Sequence, residues 1–280
     1  LILSTVRLLP AGAGLVFRAG EGVGTVTRAG LPLAIGEPAI NPAPREIMRS
    51  AIAEVARGHC VPGDAEITVS VPGGAEIARH TWNPRLGIVG GISILGTTGV
   101  VHPYSCSAWI ASIHRGIDVC RANGVAHAAA CTGSTSEAAV RRLHGLPDHA
   151  FIDMGDFAGG TLKYLRRHPI PRLTIAGGFA KLSKLAGGAM DLHSGRSEVD
   201  RAQLAEALAR LGARPALHEA ARTANTAGEI LAQAQEAGLP LADFIAGEAR
   251  RQALAMLDGA TEVEVIAVDR HGVIVGRAGF

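Results

Sequence analysis

Three short segments of the sequence place glycine beside hydroxyl or carboxylate side chains, directly after runs of apolar residues. They are CTGS at 131–134, MGDF at 154–157 and AGG at 176–178. If those runs are parallel strands, all three segments lie on one sheet edge and lead into helix N termini, whose free amides bind anions. An extended ligand that carries a carboxylate and a ribose suits such an edge. The alternative is that these are only the glycine-containing turns that an α/β fold requires.

Basic residues near these segments could bind the carboxylates of a ligand. Lys181 and Lys184 are three positions apart and are therefore neighbours on one face of a helix. His193 and Arg196 follow soon after. Such a cluster can form charge-assisted hydrogen bonds with acidic groups. The alternative is a solvated basic helix face.

Two further pairs of polar residues are candidates for binding. Asp153 and Asp156 flank the turn at 154–157, where the alternative is a strand-end carboxylate and a helix cap. Glu37 and Asn41 lie in the loop GEPAINPAP, in which three prolines would hold side chains rigidly. The alternative for this loop is a rigid linker.

Residues 86–113 contain no Asp, Glu, Lys or Arg. The run is long enough to cross a bilayer. Its five glycines, one proline and one histidine argue against a membrane span. We predict instead a buried strand that ends in the turn Gly96, Thr97, Thr98 and Gly99, with hydroxyls and amides facing a ligand. Plain packing of this turn is the alternative.

Composition and missing motifs exclude several classes of function. The net charge is +2 and no long basic run is present, so a nucleic-acid partner is not expected. The four cysteines form no C-x-x-C pair and are interpreted as ordinary buried thiols. The motifs G-x-G-x-x-G, G-x-x-x-x-G-K-[ST], G-x-S-x-G and H-E-x-x-H are absent. Hydride transfer, Walker-type phosphate chemistry, serine hydrolysis and zinc proteolysis are therefore disfavoured.

The elements that must position these residues form two groups. Residues 1–28 alternate short β-rich stretches with glycine-rich turns, and a helix over 45–58 and a strand over 65–71 follow. From there strands at 125–131, 150–155 and 172–178 are each followed by a helical pattern. This alternation predicts a mostly parallel sheet covered on both faces. The expected fold class is α/β with an α+β part.

Local signals predict where these elements begin and end. Ser134 and Glu137 have the spacing of a capping box, and Asp156 is a candidate N-cap of the next helix. Residues 198–257 predict two or three helices broken near Pro215 and Pro240. The sequence then predicts a hairpin that turns across residues 270–272.

Four longer stretches resemble one known family. They are GEGVGTVTRAGLPLAIGEPAINPAPREIM (20–48), TWNPRLGIVGGISILGTTGVVHPYS (81–105), GDFAGGTLKYL (155–165) and GGFAKLSKLAGGAMDLHSGRS (177–197). They are similar to the CbiD family, the cobalt-precorrin-5B C-1 methyltransferases of cobalamin biosynthesis. The resemblance covers nearly the whole chain.

That resemblance implies a cytoplasmic enzyme that transfers the methyl group of S-adenosyl-L-methionine to ring carbon C-1 of a cobalt-containing tetrapyrrole, giving cobalt-precorrin-6A. It also implies a first portion, residues 1–85, similar to domain 2 of ribosomal protein S5, and a Rossmann-like second portion, residues 86–280. Members of the family begin upstream with a Thr/Gly-rich segment resembling TGYTTG. This chain starts after that segment, so we expect it to be incomplete.

The resemblance, joined to the candidate residues, predicts two binding regions and no protein-bound metal. The residues expected at the methyl donor are Thr132, Gly133, Ser134, Asp153, Asp156, Gly177 and Gly178. Those expected at the tetrapyrrole are Glu37, Asn41, Arg85, Gly96, Thr97, Thr98, Lys181, Lys184, His193 and Arg196. No residue is a clear general base. A homo-oligomer is compatible with the sequence, as are two other functions: a nicotinamide-dependent oxidoreductase and a tetrapyrrole carrier without catalysis.

Overall fold

The computed structural model describes residues 1–95 and 105–280 of the chain. Two compact units divide the chain, Leu1–Cys106 and Ser107–Phe280. Both units combine helices with strands, and the larger sheet is mostly parallel. The predicted mixed α/β class is therefore confirmed.

The first unit contains a three-stranded sheet in the order β1-β4-β2. These strands are β1 (Leu3–Leu8), β2 (Leu15–Ala19) and β4 (Ala65–Ser70), and β4 pairs antiparallel with β1 and parallel with β2. Along β4 the apolar residues Ala65, Ile67 and Val69 are buried, whereas their neighbours are half-buried. This alternation is typical of a strand with one face on a core.

Two helices and a short ribbon complete the first unit. Helix α1 (Pro42–His59) begins three residues before the predicted start, because two prolines fit its first turn without loss of a hydrogen bond. Helix α2 spans Gly74–Arg79. The ribbon pairs β3 (Thr25–Val26) with β5 (Ile88–Val89).

The charge-free run does not form the buried strand that was predicted. In its described part the one strand is the two-residue β5, in which Ile88 is buried but Val89 is 56% exposed, and residues 106–113 are helical. The pairing of β5 with β3 also places residues beyond 85 in the first unit. The predicted ligand-facing residues Gly96, Thr97 and Thr98 lie outside the described residues.

The second unit is built on a five-stranded sheet in the order β10-β9-β8-β6-β7. The strands are β6 (His127–Cys131), β7 (Phe151–Asp153), β8 (Arg172–Gly178), β9 (Glu262–Val268) and β10 (Ile274–Ala278). All neighbours are parallel except β9 and β10, which form the predicted hairpin. The three predicted strand and helix repeats are thus present.

Helices cover this sheet and carry much of its core. They are α3 (Cys106–Ala122), α4 (Ser134–His144), α5 (Ala158–Arg167), α6 (Phe179–Ala186), α7 (Arg201–Arg210), α8 (Pro215–Thr223), α9 (Ala227–Glu236) and α10 (Leu241–Leu257). Successive residues of the inner strands, such as Leu173 and Ile175 with the intervening Thr174, are fully buried. Burial of both strand faces is expected for a parallel sheet covered on two sides.

Four helices, not two or three, occupy the region after residue 198. A break near Pro215 and another near Pro240 are present, because Pro215 opens α8 and Pro240 precedes α10. The extra break falls between α8 and α9, where Thr226 caps α9 by accepting a hydrogen bond from the backbone N–H of Glu229. A threonine cap is a weaker sequence signal than proline, and the prediction missed it.

Both predicted side-chain caps are wrong. Helix α4 is capped by Gly133, with Ser134 already inside the first turn, and Glu137 pairs with Arg141 instead of reaching back to the cap. Helix α5 is capped by Phe157 without a side-chain bond. Asp156 therefore has another partner, described below.

None of the helices in the described residues combines the length and apolar character that a membrane crossing needs. Among the cysteines, Cys120 and Cys131 are buried, whereas Cys60 and Cys106 are exposed, so the prediction of buried thiols holds for two of the four. Burial raises the pKa of the Cys120 thiol to about 12, which keeps it protonated and unreactive.

Candidate functional site

The strand order of the second unit reverses direction beside β6. After β6 the chain continues through α4 to β7 on one side, whereas β8 lies on the other side and leads onward to β9. The connections that leave β6 and β8 therefore diverge, and a crevice opens between the carboxyl ends of these strands. This is the position at which open α/β sheets bind ligands.

A cavity of about 1060 Å³ lies at this edge of the sheet. It is lined by residues that follow β6, by the start of α6, by one face of α9 and by the β9–β10 hairpin. The predicted site residues Thr132, Gly133, Ser134, Gly178 and Lys181 are all part of its wall. Five residues that the sequence placed at a ligand thus surround one space.

Lys181 connects the turns that follow three strands. Its Nζ lies 2.9 Å from Asp156 Oδ1, in the turn after β7, and 3.4 Å from the backbone oxygen of Thr132, after β6. Lys181 itself belongs to α6, which follows β8. Its side chain remains 37% exposed, so the ammonium can also bind an anion in the cavity.

The other predicted basic residues do not line the cavity. Lys184 is only 8% exposed, and its Nζ donates a hydrogen bond to the backbone oxygen of Leu192, 3.0 Å away. Arg196 forms an ion pair of 3.0 Å with Asp191, and His193 Nδ1 accepts a hydrogen bond from the backbone N–H of Gly195. These contacts organise the loop after α6.

That loop is nevertheless attached to the candidate site. The backbone N–H of Leu192 donates to the backbone oxygen of Asp156 at 2.8 Å, and the N–H of Gly159 donates to Met190 at the same distance. The loop with His193 and Arg196 therefore lies against the turn that holds Asp156. The hydrogen bond from Lys184 Nζ to the backbone oxygen of Leu192 holds the loop in this position.

The two predicted aspartates differ in their surroundings. Asp153 ends β7, and its backbone oxygen accepts a hydrogen bond from Trp109 Nε1 at 3.1 Å. Asp156 is 23% exposed and reaches the cavity wall only through Lys181. Neither aspartate lines the cavity directly.

Gly177 is required by the close approach of β8 to the turn after β6. A Cβ atom at this position would lie 2.8 Å from Thr132 Cγ2 and 2.9 Å from Thr132 Oγ1. The backbone N–H of Thr132 also donates to Ala176 O at 2.9 Å. A glycine here lets Thr132 sit beside the strand end and face the crevice.

The remaining predicted residues belong to the first unit. Glu37 forms an ion pair of 2.5 Å with Arg45, and Asn41 is the N-cap of α1 but makes no side-chain capping bond. The backbone oxygen of Arg85 accepts a hydrogen bond from Arg28. The ion pair fixes Glu37 beside α1.

Comparison with known proteins decides the family. Sequence models of CbiD and of the CbiD C-terminal domain match residues 1–103 and 191–279. The cobalt-precorrin-5B C(1)-methyltransferase of Paramagnetospirillum magneticum is 63% identical over 278 residues, which are 99% of this chain and 77% of that protein. The chain belongs to the CbiD family. The protein of the same name from Brucella abortus strain S19 is 60% identical, over 99% of this chain and 75% of its own length.

The cobalamin biosynthesis protein cbiD from Archaeoglobus fulgidus is a solved structure similar to this CbiD chain. It is 25% identical, covers 70% of this chain and 59% of its own, and superimposes with a TM-score of 0.30. The first family model lies within the unit Leu1–Cys106, and the second lies within the unit Ser107–Phe280.

Two parts of the cavity wall in this CbiD chain were not predicted from the sequence. One is the turn of the β9–β10 hairpin, Asp269, Arg270 and His271, and the other is the start of α9 from Thr226. The hairpin itself was predicted. Because β9 is parallel to β8, its end had to lie on the same edge, and this was the available signal.

Asp269 holds the turn of this hairpin in shape. Its Oδ1 accepts hydrogen bonds from the backbone N–H groups of Val273, at 2.9 Å, and His271, at 2.8 Å. These bonds hold the pKa of Asp269 below its usual value, and the bond from the Val273 N–H has the largest effect. The carboxylate is therefore charged at neutral pH beside the exposed Arg270.

Proposed function

We propose that this CbiD-family chain transfers a methyl group from S-adenosyl-L-methionine to ring carbon C-1 of cobalt-precorrin-5B, giving cobalt-precorrin-6A in cobalamin biosynthesis. The observation that carries the proposal is 63% identity, across 99% of the chain, to a protein named cobalt-precorrin-5B C(1)-methyltransferase. The crevice at the strand ends supports it, because an activated methyl donor needs a shaped site more than reactive side chains.

We infer that the methyl donor binds at the carboxyl ends of β6 and β8. The backbone of Thr132, Gly133 and Ser134 would contact it, together with the free amides of the first turn of α4. Lys181 would bind its carboxylate. Gly177 and Gly178 keep this wall free of side chains, so that a ligand can lie against the backbone.

Asp156 is the better of the two candidates for the donor's ribose hydroxyls. It is part-exposed and sits 2.9 Å from the Lys181 ammonium, next to the wall of the cavity. Asp153 ends a strand whose backbone is bonded to Trp109. A carboxylate accepts hydrogen bonds from two adjacent hydroxyls.

Methyl transfer itself requires little proton chemistry. The ring carbon supplies the electron pair of the new C–C bond, and the electrons of the breaking S–C bond stay on sulfur, leaving S-adenosylhomocysteine. The protein must hold sulfur, methyl and ring carbon in line and exclude water. Backbone amides, hydroxyls and one ammonium group at a defined crevice are sufficient for this task.

The tetrapyrrole carries acidic side groups and needs basic partners. Lys181 and the hairpin residues Arg270 and His271 line the cavity and could contact such groups. Of the residues predicted for this role, Lys184 instead supports the loop that carries His193 and Arg196. Glu37, Asn41, Arg85 and the segment Gly96, Thr97 and Thr98 remain proposed substrate contacts from the sequence.

The finer fold and location are part of the same proposal. The strand order with its reversal beside β6 supports a Rossmann-like second portion, and the sheet with one packed helix supports an S5-like first portion. We also propose that the enzyme is cytoplasmic, because its donor and its pathway intermediate are cytoplasmic metabolites.

An assay with both substrates tests the function. Purified protein is incubated with the methyl donor and cobalt-precorrin-5B, and both products are measured by mass spectrometry. C-1-methylated product and S-adenosylhomocysteine in equal amounts are expected. Absence of both, in protein that binds the tetrapyrrole and is not stabilised by the donor, would instead support a carrier. Thermal stabilisation by NAD(P)H but not by the donor would support an oxidoreductase.

A further inference from the structure

Two histidines and a glutamate meet in the second unit, away from the cavity. His127 is the first residue of β6, His144 is the last residue of α4, and Glu264 lies in the first half of β9. One side-chain nitrogen or oxygen of each lies within 4.8 Å of the others. None of the three lines the cavity at the carboxyl ends of the strands.

Hydrogen bonds connect both imidazoles to one carboxylate oxygen, one directly and the other through a threonine hydroxyl. His144 Nε2 lies 2.6 Å from Glu264 Oε2. The Thr174 hydroxyl donates to the same oxygen at 2.7 Å, so it must accept the bond from His127 Nε2, also 2.7 Å long. His144 Nε2 thus contacts Glu264 Oε2 directly, whereas His127 Nε2 is linked to it through the Thr174 hydroxyl.

The other oxygen of this carboxylate is held separately. Arg277 Nε donates to Glu264 Oε1 at 2.6 Å, and the Glu264 side chain is fully buried. The Glu264 carboxylate thus has a fixed orientation, with Oε2 presented to the histidines. In metal sites, partners of this kind orient the coordinating carboxylate.

We propose that His127, His144 and Glu264 form a binding site for a divalent transition-metal ion of the zinc class. Its ligands would be Nε2 of both histidines and Oε2 of Glu264, with water in the fourth position. Two imidazoles and one carboxylate suit Zn²⁺, whereas Mg²⁺ and Ca²⁺ prefer oxygen ligands alone. The site is independent of the proposed methyl transfer.

The site can open to admit an ion with small side-chain movements. Neighbouring ligands of tetrahedral zinc lie about 3.3 Å apart when each is about 2 Å from the metal, so the 2.6 Å contact between His144 and Glu264 must lengthen by about 0.7 Å. Separations in the cluster of up to 4.8 Å must shorten by up to about 1.5 Å, and the Thr174 hydroxyl must turn away from Glu264 Oε2. Each imidazole then carries its hydrogen on Nδ1. The His144 side chain is 17% exposed, which gives an entry path from solvent.

Bound metal would join three elements that are far apart in sequence. It would tie the end of α4 to the start of β6 and to β9, 120 residues beyond His144. Such a cross-link stabilises the folded state, because a preformed site is absent from the unfolded chain. A bound ion would therefore stabilise the fold of the second unit.

Metal titration of the purified, metal-free chain tests the proposal. Calorimetry with Zn²⁺ should show one equivalent bound, and thermal unfolding should shift to higher temperature. Co²⁺ in place of Zn²⁺ should give the intense visible bands of a four-coordinate site. His127→Gln and His144→Gln should each weaken binding at least about tenfold.

The control is His80→Gln, which removes an exposed histidine of the first unit, 80% accessible. It should leave affinity and stoichiometry unchanged. Circular dichroism verifies that each variant is folded, and Thr174→Val provides a second test because it frees His127 Nε2 without removing a ligand. Absence of saturable binding to the unaltered chain, or binding that survives in both histidine variants, would overturn the proposal.

Discussion

Lys181 is the side chain on which the geometry of the candidate site most depends. It pairs with Asp156, contacts the backbone oxygen of Thr132 and still exposes part of its ammonium to the cavity. Its charge therefore has two tasks: it joins the turns after three strands, and it offers a partner to the donor's carboxylate.

Replacing Lys181 with glutamine should weaken binding of the methyl donor by about tenfold or more, because a hydrogen bond to a charged group is worth about 1.5–3 kcal/mol. The expected change is a higher KM for the donor, with a smaller loss in kcat. Steady-state kinetics and calorimetry measure the two effects.

Lys163→Gln is the matched control, since Lys163 is an exposed lysine on α5. It removes the same charge outside the cavity and should leave donor affinity unchanged. Lys181→Arg should recover part of the loss. Equal donor affinity in Lys181→Gln and Lys163→Gln would contradict the role of Lys181.

Asp269 should make the stability of the hairpin depend on pH. Backbone hydrogen bonds hold its folded pKa below the usual value near 3.8, and the bond from Val273 is the largest cause. The charged form therefore stabilises the folded state above about pH 4, and this stabilisation is lost as the pH falls through the folded pKa. We expect Asp269→Asn to be less stable at pH 7 and to approach the parent below about pH 4.

Urea midpoints measured between neutral and acid pH give this difference directly. Glu236→Gln, at an exposed position of α9, is the control and should show no such convergence. A difference between Asp269→Asn and the parent that stays constant with pH would show that the Asp269 charge does not hold the turn.

At the residue scale, sequence could predict which segments line the site but not every side chain. Thr132, Gly133 and Ser134 were found because glycine and hydroxyls directly follow a buried strand. Lys181 and Lys184 looked equivalent by helical spacing. The loop that contains Leu192 folds back over the Lys184 ammonium and buries it, whereas Lys181 lines the cavity. The contact between Lys184 and Leu192 has no signal in the local sequence.

At the element scale, the close contact between α10 and β10 depends on Gly276. A Cβ atom there would lie 2.3 Å from the backbone carbon of Ala242 and 2.5 Å from its oxygen. Backbone cannot move aside as a flexible side chain can. The helix must shift away from the strand if any other residue is placed here.

Gly276→Ala should destabilise the protein by about 2–3 kcal/mol, because overpacking forces backbone shifts. Gly247→Ala is the control within the same helix: its Cβ would meet nothing within 4 Å. Since alanine favours a helix interior over glycine, it should stabilise by about 0.5–1 kcal/mol. Chemical denaturation measures both, and a neutral Gly276→Ala would contradict the packing argument.

Elements were predictable where apolar periodicity is strong, and their ends were not. The inner strands and the hairpin follow from continuous or alternating apolar runs. The caps of α4 and α5 failed because a capping side chain must also have the backbone geometry of the cap position. Gly133 and Phe157 occupy those positions, and Glu137 and Asp156 found stronger partners in Arg141 and Lys181.

At the scale of the molecule, the large core and the whole described cavity wall belong to the second unit. The large hydrophobic core of the second unit draws its buried residues from Ile113 to Ala267, and every residue that lines the cavity lies between Thr132 and Val275. The division near residue 85 was expected from the two-part architecture that the family resemblance implies. Pairing of β5 with β3, a contact between distant residues, places the start of the charge-free run in the first unit, whereas the run from residue 107 onward belongs to the second.

This distribution predicts that residues 107–280 form an independent folding unit that binds the methyl donor. All buried residues of its large core cluster belong to the second unit, so we expect one cooperative thermal transition followed by circular dichroism. The donor at one hundred times its Kd should raise the free energy of unfolding of the isolated unit by about 2.7 kcal/mol, because it binds the folded state and not the unfolded state. The fragment with Lys181→Gln should show less stabilisation at the same donor concentration. A fragment that folds but gains no stability from the donor would place the donor site elsewhere than the crevice between β6 and β8.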